Sequence, residues 1–167
     1  MPTLSNFDDS TKSLEAEIKL EGNKILVSFQ LMGNGFADKF FPESSLKRKD
    51  ELWKSTCFEA FWSEPGSTKY CELNFNQNGE WNIYEFASYR LPQPPVASNQ
   101  YKVTGIFSKD KKLNCAIEAD KNLGVLEASL TCILKVGEKT LYFATRHCGE
   151  KPDFHLRDSF ILKVGLK

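Results

Sequence analysis

The sequence predicts an all-β protein: an antiparallel, jelly-roll-like β-sandwich of about ten strands. Three observations point there. No window of helical length sustains a 3.6-residue apolar period. Alternating apolar and polar residues come in short runs, broken roughly every 8–12 residues by Gly, Asn or Pro. Two of the breaks, Gly22-Asn23 and Asn78-Gly79, are dipeptides that tolerate the positive φ of a tight type I′ hairpin turn.

Residues 1–13 are polar and are expected to form a flexible lead, with a single domain over 14–167. Leu14–Glu21 and Lys24–Leu31 form the first hairpin. A two-residue turn sets Leu20 opposite Ile25, Ile18 opposite Val27, Ala16 opposite Phe29 and Leu14 opposite Leu31, all on one buried face. Met32–Gly35 is a turn, Phe36–Phe41 an aromatic-ended strand, and 43–51 a charged surface loop. A three-strand block follows over 54–63, 68–77 and 80–88. Leu91–Gln100, with prolines at 92, 94 and 95, is an extended connection. Gln100–Ser108 pairs with Leu113–Glu118 around Lys109–Lys112, after which 120–127 is a loop or a short helical turn. Ala128–Val136 pairs with Thr140–Arg146 around Gly137-Glu138. Residues 147–158 are irregular, and Ser159–Val164 is a final strand.

The three-strand block organises the rest. A two-residue turn at Asn78-Gly79 puts Asn76 opposite Trp81, Leu73 opposite Tyr84 and Glu72 opposite Glu85. A four-residue turn, Glu64–Ser67, puts Ala60 opposite Cys71 and Glu59 opposite Glu72. Alternation then sorts the side chains. Thr56, Phe58, Ala60, Cys71, Leu73, Phe75, Tyr84 and Phe86 make a core face. Cys57, Glu59, Phe61, Tyr70, Glu72, Asn74, Asn76, Trp81, Ile83, Glu85 and Tyr89 make the other. That second face is aromatic and acidic at once, with Glu59, Glu72 and Glu85 in one cross-strand row. Opposed like charges destabilise a sheet by roughly 0.2–1 kcal/mol per exposed pair. A row of three calls for a cation, an Arg, a raised pKa or a ligand rich in hydroxyl donors. A bulge that turns one Glu away is the competing structural explanation.

Composition narrows the function classes. The chain has 167 residues, and Lys plus Arg equals Asp plus Glu at 22 each, so no long-range field attracts nucleic acid or an anionic membrane. Apolar residues make up 41%, with 13 Phe, enough for a core without disulfides. The five cysteines show no C-x-x-C spacing, and four lie within strand patterns, as small buried hydrophobes do in a reducing compartment. No signal-peptide pattern opens the chain and no apolar run could span a bilayer. A cytoplasmic location is expected, or a secreted or periplasmic one if a leader has been removed.

Two separated motifs carry a resemblance. The first is Asp50-x-Leu52-Trp53-x-x-Thr56-Cys57-x-Glu59-x-Phe61, followed by Tyr70-x-Glu72-x-Asn74-Phe75, Asn78-Gly79-x-Trp81, Tyr84-x-Phe86 and Tyr89-Arg90. The second is His147 with Lys151-Pro152-Asp153-Phe154-His155. Together they resemble a DOMON-like domain, in the branch related to family-9 carbohydrate-binding modules, over residues 14 to 165. The resemblance implies a β-sandwich with a concave sheet that faces sugars or, in other branches, haem, and structural calcium is frequent among the related modules. Those modules are usually appended to secreted glycanases, whereas this chain is a single domain.

The candidate ligand-binding residues are Trp53, Glu59, Tyr70, Glu72, Asn74, Trp81, Tyr89, Arg90 and His155. Sugar recognition needs flat rings for the apolar face of a pyranose, here Tyr70, Trp81 and Tyr89 with Trp53 at the rim. It also needs carboxylates, amides and a guanidinium for hydroxyls, here Glu59, Glu72, Asn74 and Arg90. For each residue a structural role competes: the tryptophans could cover a sheet edge and Arg90 could neutralise Glu72 or Glu85. His147 and His155 fit hydrogen bonds to nearby carbonyls better than zinc, because Cys148 has no second spaced pair. Haem would need an axial ligand in the cup, and apart from Met1 the one methionine is Met32. Calcium could use the acidic row, though no EF-hand spacing supports it. A retaining glycosidase would place two carboxyls about 5–5.5 Å apart, as facing Glu59 and Glu72 could, yet nothing assigns acid and nucleophile. No G-x-S-x-G, phosphate loop or H-E-x-x-H occurs. The expected function is therefore non-catalytic binding of a carbohydrate or similar polyhydroxylated ligand. A protein-interaction module on the same face is the alternative, and the sequence leaves the oligomeric state open.

Overall fold

A computed structural model describes residues 1–30 and 45–165. The described residues form thirteen strands: β1 Thr3–Asn6, β2 Ser13–Glu21, β3 Lys24–Gln30, β4 Lys47–Arg48, β5 Cys57–Ser63, β6 Tyr70–Phe75, β7 Glu80–Phe86, β8 Val96–Ala97, β9 Tyr101–Lys109, β10 Lys112–Ala119, β11 Leu126–Val136, β12 Lys139–Ala144 and β13 Leu162–Val164. Two 3-10 turns, Leu52–Lys54 and Arg157–Ser159, complete the regular structure. The expected turn at Met32–Gly35 and strand at Phe36–Phe41 lie outside the described residues. No described helix is long and apolar enough to cross a membrane.

The strands curl into a β-sandwich. One layer runs β4-β7-β6-β5-β11-β12-β1, with β13 beside β11 and β8 beside β7, and the other runs β2-β3-β10-β9. Pairings are antiparallel except β4 with β7. Between the layers, every second residue is apolar and buried. Phe29 of β3 packs its ring 5.1 Å from Phe58 of β5 and 6.0 Å from Phe75 of β6. Trp62 of β5 meets Tyr101 of β9 edge-on at 5.2 Å. Four cysteines are strand residues and all five are free thiols.

The first hairpin has the expected register: Ala16, Ile18 and Leu20 oppose Phe29, Val27 and Ile25, with Gly22 at φ 61°. Residues 3–6, expected to belong to a flexible lead, instead form β1. It pairs with β12 through Ser5 and Ala144 and with β2 through Leu4 and Leu14, joining the two layers. The short run carries one apolar residue, Leu4, and that residue is fully buried.

The turn at Asn78-Gly79 corrects the expected register. Asn76 C=O accepts from Gly79 N–H at 3.4 Å, and Asn76 N–H donates to Glu80 C=O at 3.0 Å, which makes a three-residue loop with Gly79 at φ 78°. The Asn76 side chain decides this. Its Oδ1 accepts from Asn78 N–H at 2.9 Å and Glu80 N–H at 3.3 Å, and its Nδ2 donates to the Glu80 carboxylate at 2.8 Å. Trp81 therefore opposes Phe75 rather than Asn76. A slip of one residue turns a whole strand over. Trp81 and Ile83 point into the sandwich core, while Tyr84 and Phe86 come out on the face of Glu59 and Glu72. Glu85 leaves the acidic row and accepts a hydrogen bond from Ser98 Oγ. The β5–β6 register also differs, by two residues, so that Phe61 opposes Glu72 and Glu59 opposes Asn74. An even shift leaves the faces unchanged.

Candidate ligand cavity

The outer face of β5, β6, β7 and β11 carries a second buried cluster, in which Cys57, Phe61, Tyr70, Tyr84, Phe86 and Ile133 meet Phe154 and Phe160 from the irregular segment before β13. Between the sheet and that segment lies a cavity of about 340 Å³, lined by Trp53, Glu59, Phe61, Glu72, Phe86, Arg90, Gln93, Pro95, Ile133, Tyr142, Pro152, Phe154 and His155. This volume falls in the usual range for small-molecule sites. A wider groove of about 730 Å³ opens at the edge of β2, β3 and β10, but its charged residues, such as Lys19, Glu21, Lys24 and Glu118, belong to exposed or half-buried strand positions. Among the described residues the buried carboxyls, Glu59 and Glu72, are at the smaller cavity.

Its floor is the pair Glu59 and Glu72, exposed by only 2% and 6%. Glu59 Oε2 accepts from Thr131 Oγ1 at 2.8 Å. The nearest cationic candidate for Glu72 is His155, whose Nε2 lies 3.6 Å from Oε2, beyond a hydrogen bond. Burial raises the pKa of both carboxyls well above the ordinary range. For Glu59 the neighbouring Glu72 charge adds to burial, and the Thr131 hydroxyl opposes both. Asn74 lies across from Glu59 and beside Glu72, whose charged form it favours. It is fully buried, yet neither its Nδ2 nor its Oδ1 reaches a hydrogen-bond partner.

His155 sits among rings, with Phe61 and Phe86 each 5.2 Å away edge-on. Burial first, then the Arg90 charge, lower its pKa to about 4, against the opposing pull of Asp153. At neutral pH it is uncharged. The Tyr70 hydroxyl accepts from Arg90 N–H at 3.1 Å and lies 2.8 Å from His155 Nδ1, a hydrogen bond in either tautomer of the ring.

The rim is built by two loops that lock together. Asp153 accepts from Arg90 Nη2 at 2.9 Å and from the Tyr89 hydroxyl, and also from its own loop at His155 N–H. Arg90 adopts the left-handed backbone region at φ 53°, and Gln93 Nε2 donates to its carbonyl at 2.9 Å. On the opposite rim Asp50 Oδ1 accepts from Asn82 Nδ2 at 2.8 Å and Tyr84 OH at 2.9 Å. This anchors the following 3-10 turn and sets Trp53 edge-on to Tyr84 at 5.9 Å.

Of the nine residues expected at the site, Trp53, Glu59, Glu72, Arg90 and His155 line the cavity. Tyr70 and Asn74 stand just behind its wall. Arg90 is paired with Asp153 rather than with Glu72 or Glu85. Tyr89 is 50% exposed and braces Asp153 from outside. Trp81 is not at the site. It is 6% exposed in the sandwich core, with the Arg48 guanidinium 4.4 Å over its ring, because the register slip turned it inward. The same slip hid Phe86. Gln93 and Pro95 lie in the proline-rich connection, where three prolines close to Arg90 were the available signal of a stiff wall. His147 donates from Nε2 to the Ser5 carbonyl at 2.9 Å, as a carbonyl-bound histidine should. Among the described residues no group of three or more His, Cys, Asp and Glu is arranged to hold a metal ion. Met32 lies outside the described residues.

No protein-family model matches the chain. No curated protein matches it either. Among solved structures it is similar to one described as a putative carbohydrate-binding protein from Bacteroides uniformis, with a TM-score of 0.66 and 14% identity over 99% of this chain and 85% of that one. At that identity the likeness establishes the all-β sandwich fold.

Proposed function

We propose that this protein binds a carbohydrate or a similar polyhydroxylated small molecule in the cavity beneath the 152–160 segment, without chemical turnover. The observation that carries this is a cavity floor of buried polar groups short of partners. Glu59 Oε2 accepts from Thr131, Glu72 stands 3.6 Å from the nearest histidine nitrogen with the Asn74 amide behind the wall favouring its charged form, and Asn74 itself lacks a well-formed partner. Leaving such groups unsatisfied costs about 1–3 kcal/mol each, so a ligand that supplies several donors is favoured. The walls are Trp53, Phe61, Phe86, Tyr142 and Phe154, rings suited to the apolar faces of a sugar. Arg90, held open-handed by Asp153 on one side, can meet a ring or hydroxyl oxygen.

Thermal unfolding with a panel of mono- and oligosaccharides tests this. A ligand at ten times its Kd adds about 1.4 kcal/mol, which raises Tm by about 3–5 °C for a chain of this size. The shift should vanish in Glu72→Gln and Phe86→Ala. If no sugar shifts Tm at millimolar concentration, the reading falls. A second reading, a protein-docking surface, has one observation of its own: Tyr89, Leu91 and Val96 are 50%, 55% and 55% exposed on the loop beside the cavity. A concentration-dependent mass in sedimentation, lost in Leu91→Ser, would favour it.

A further inference from the structure

The charge balance of the cavity points to a more specific ligand. Glu59 and Glu72 share its floor, and among the described residues neither forms an ion pair with a Lys or Arg, although the Arg90 charge favours the ionised form of both. Arg90, the one Lys or Arg in the lining, is already engaged by Asp153 at 2.9 Å. His155, the other basic group, is enclosed by Phe61, Phe86 and Tyr70 and shares a hydrogen bond at Nδ1 with the Tyr70 hydroxyl. Two buried carboxyls on the floor of a ring-walled cavity, with only Glu59 Oε2 held by a close hydroxyl and Glu72 3.6 Å from the His155 ring nitrogen, are matched by a group that has several N–H donors and a positive charge. Aromatic faces attract the same charge.

We infer that the ligand presents a primary ammonium group to Glu59 and Glu72, so that the carbohydrates this cavity prefers are amino sugars with an unmodified amine. This rests on the carbohydrate reading given above. A neutral hydroxyl donates one proton, whereas an ammonium donates three and compensates the buried charge.

Binding should also release a proton. The carboxyl pair holds a proton in the free protein near neutral pH, because burial raises both groups and the Glu72 charge raises Glu59 further. An ammonium between them favours both ionised forms. The other ionisable groups around the pair do not exchange protons near neutrality. Cys57 and Cys132 are kept as thiols by burial, Tyr70 is pushed up to about 12, His155 is held down to about 4, and Arg90 and Asp153 stay charged as partners.

The test is calorimetric titration near pH 7 with glucosamine, glucose, N-acetylglucosamine and ethanolamine, repeated in two buffers of different ionisation heat to count protons. The expected result is that glucosamine binds at least about tenfold more tightly than glucose or N-acetylglucosamine, the worth of one charge-assisted hydrogen bond. It should release protons as it binds, and Glu59→Gln and Glu72→Gln should each abolish the preference. Both variants are close to isosteric, and thermal unfolding will confirm that they are folded. If a neutral sugar binds as well as glucosamine, the ammonium inference is overturned while the carbohydrate reading stands. If ethanolamine matches glucosamine and no neutral sugar binds, the carbohydrate reading falls and the ammonium site stands. If none of the four binds at millimolar concentration, both are overturned.

Discussion

The two faces of the β5-β6-β7 sheet are both buried, yet they are built on opposite principles. The inner face carries Phe58, Ala60, Leu73, Phe75 and Ile83, which meet the other layer, and its ionisable residues Cys71 and Glu85 are paired at a half-buried end of the sheet. The outer face is nearly as apolar in its rings, but sets Glu59, Glu72, Asn74 and His155 among them. Apolar contact stabilises the first face directly. The second gives up stability to hold polar groups where water scarcely reaches. A protein that needed the outer face only for stability would be better served by leucine at those positions, and this difference is what supports placing the proposed ligand there.

The largest effect expected from breaking this contrast is on the inner face. Phe58→Ala removes a fully buried ring and should cost about 3–5 kcal/mol in urea unfolding. On the outer face the sign reverses. Both glutamates have raised folded pKa values, so the stability their protonation contributes is fully present below the ordinary carboxylate range and lost as pH rises through the folded values. Glu59→Gln should therefore be about 1–3 kcal/mol more stable than wild type at pH 8 and close to it at pH 4. A flat difference between those pH values would mean that the pair is not proton-linked to folding. His155 works in the opposite direction. Its folded pKa near 4 means that its contribution is present above the ordinary histidine value and fades as pH falls toward 4, so His155→Phe should lessen acid destabilisation between pH 6 and 4. Asn76→Ala tests the loop that sorts the two faces, with an expected loss of about 1 kcal/mol. Tyr89→Phe, at an exposed brace, should change stability by less than about 0.5 kcal/mol.

The fold was legible wherever local chemistry settled it. Gly22-Asn23 between two alternating runs leaves one register that buries Ile18, Val27 and Phe29 together. Asn78-Gly79 carries the same dipeptide logic, but Asn76, two residues earlier, competes for the turn's N–H groups and wins. One side chain thus exchanged Trp81 and Tyr84 between the faces. Glu59 and Glu72 share the outer face as expected because β5 and β6 keep their faces under a two-residue shift. The closing segment was legible as a motif and not as a lid. Nothing local says that Phe154 and His155 fold back on residues 61, 70 and 86, since that contact is made by packing between distant stretches.

The position of β1 has a consequence for how the molecule is assembled during translation. The strand is made before every other described strand, yet its partner on one side, Ala144 in β12, comes after all of them but β13. The β2–β3 hairpin can form as soon as its own residues emerge, whereas the join between the two layers must wait. Chain closure across such a separation is slow and depends on the whole stretch between the two strands. Until then the apolar inner faces have no lasting cover. The interval between synthesis of β3 and of β12 is when a nascent chain of this kind most depends on chaperones, and a pause or slow codon run inside it should reduce the yield of folded protein more than the same pause after residue 144.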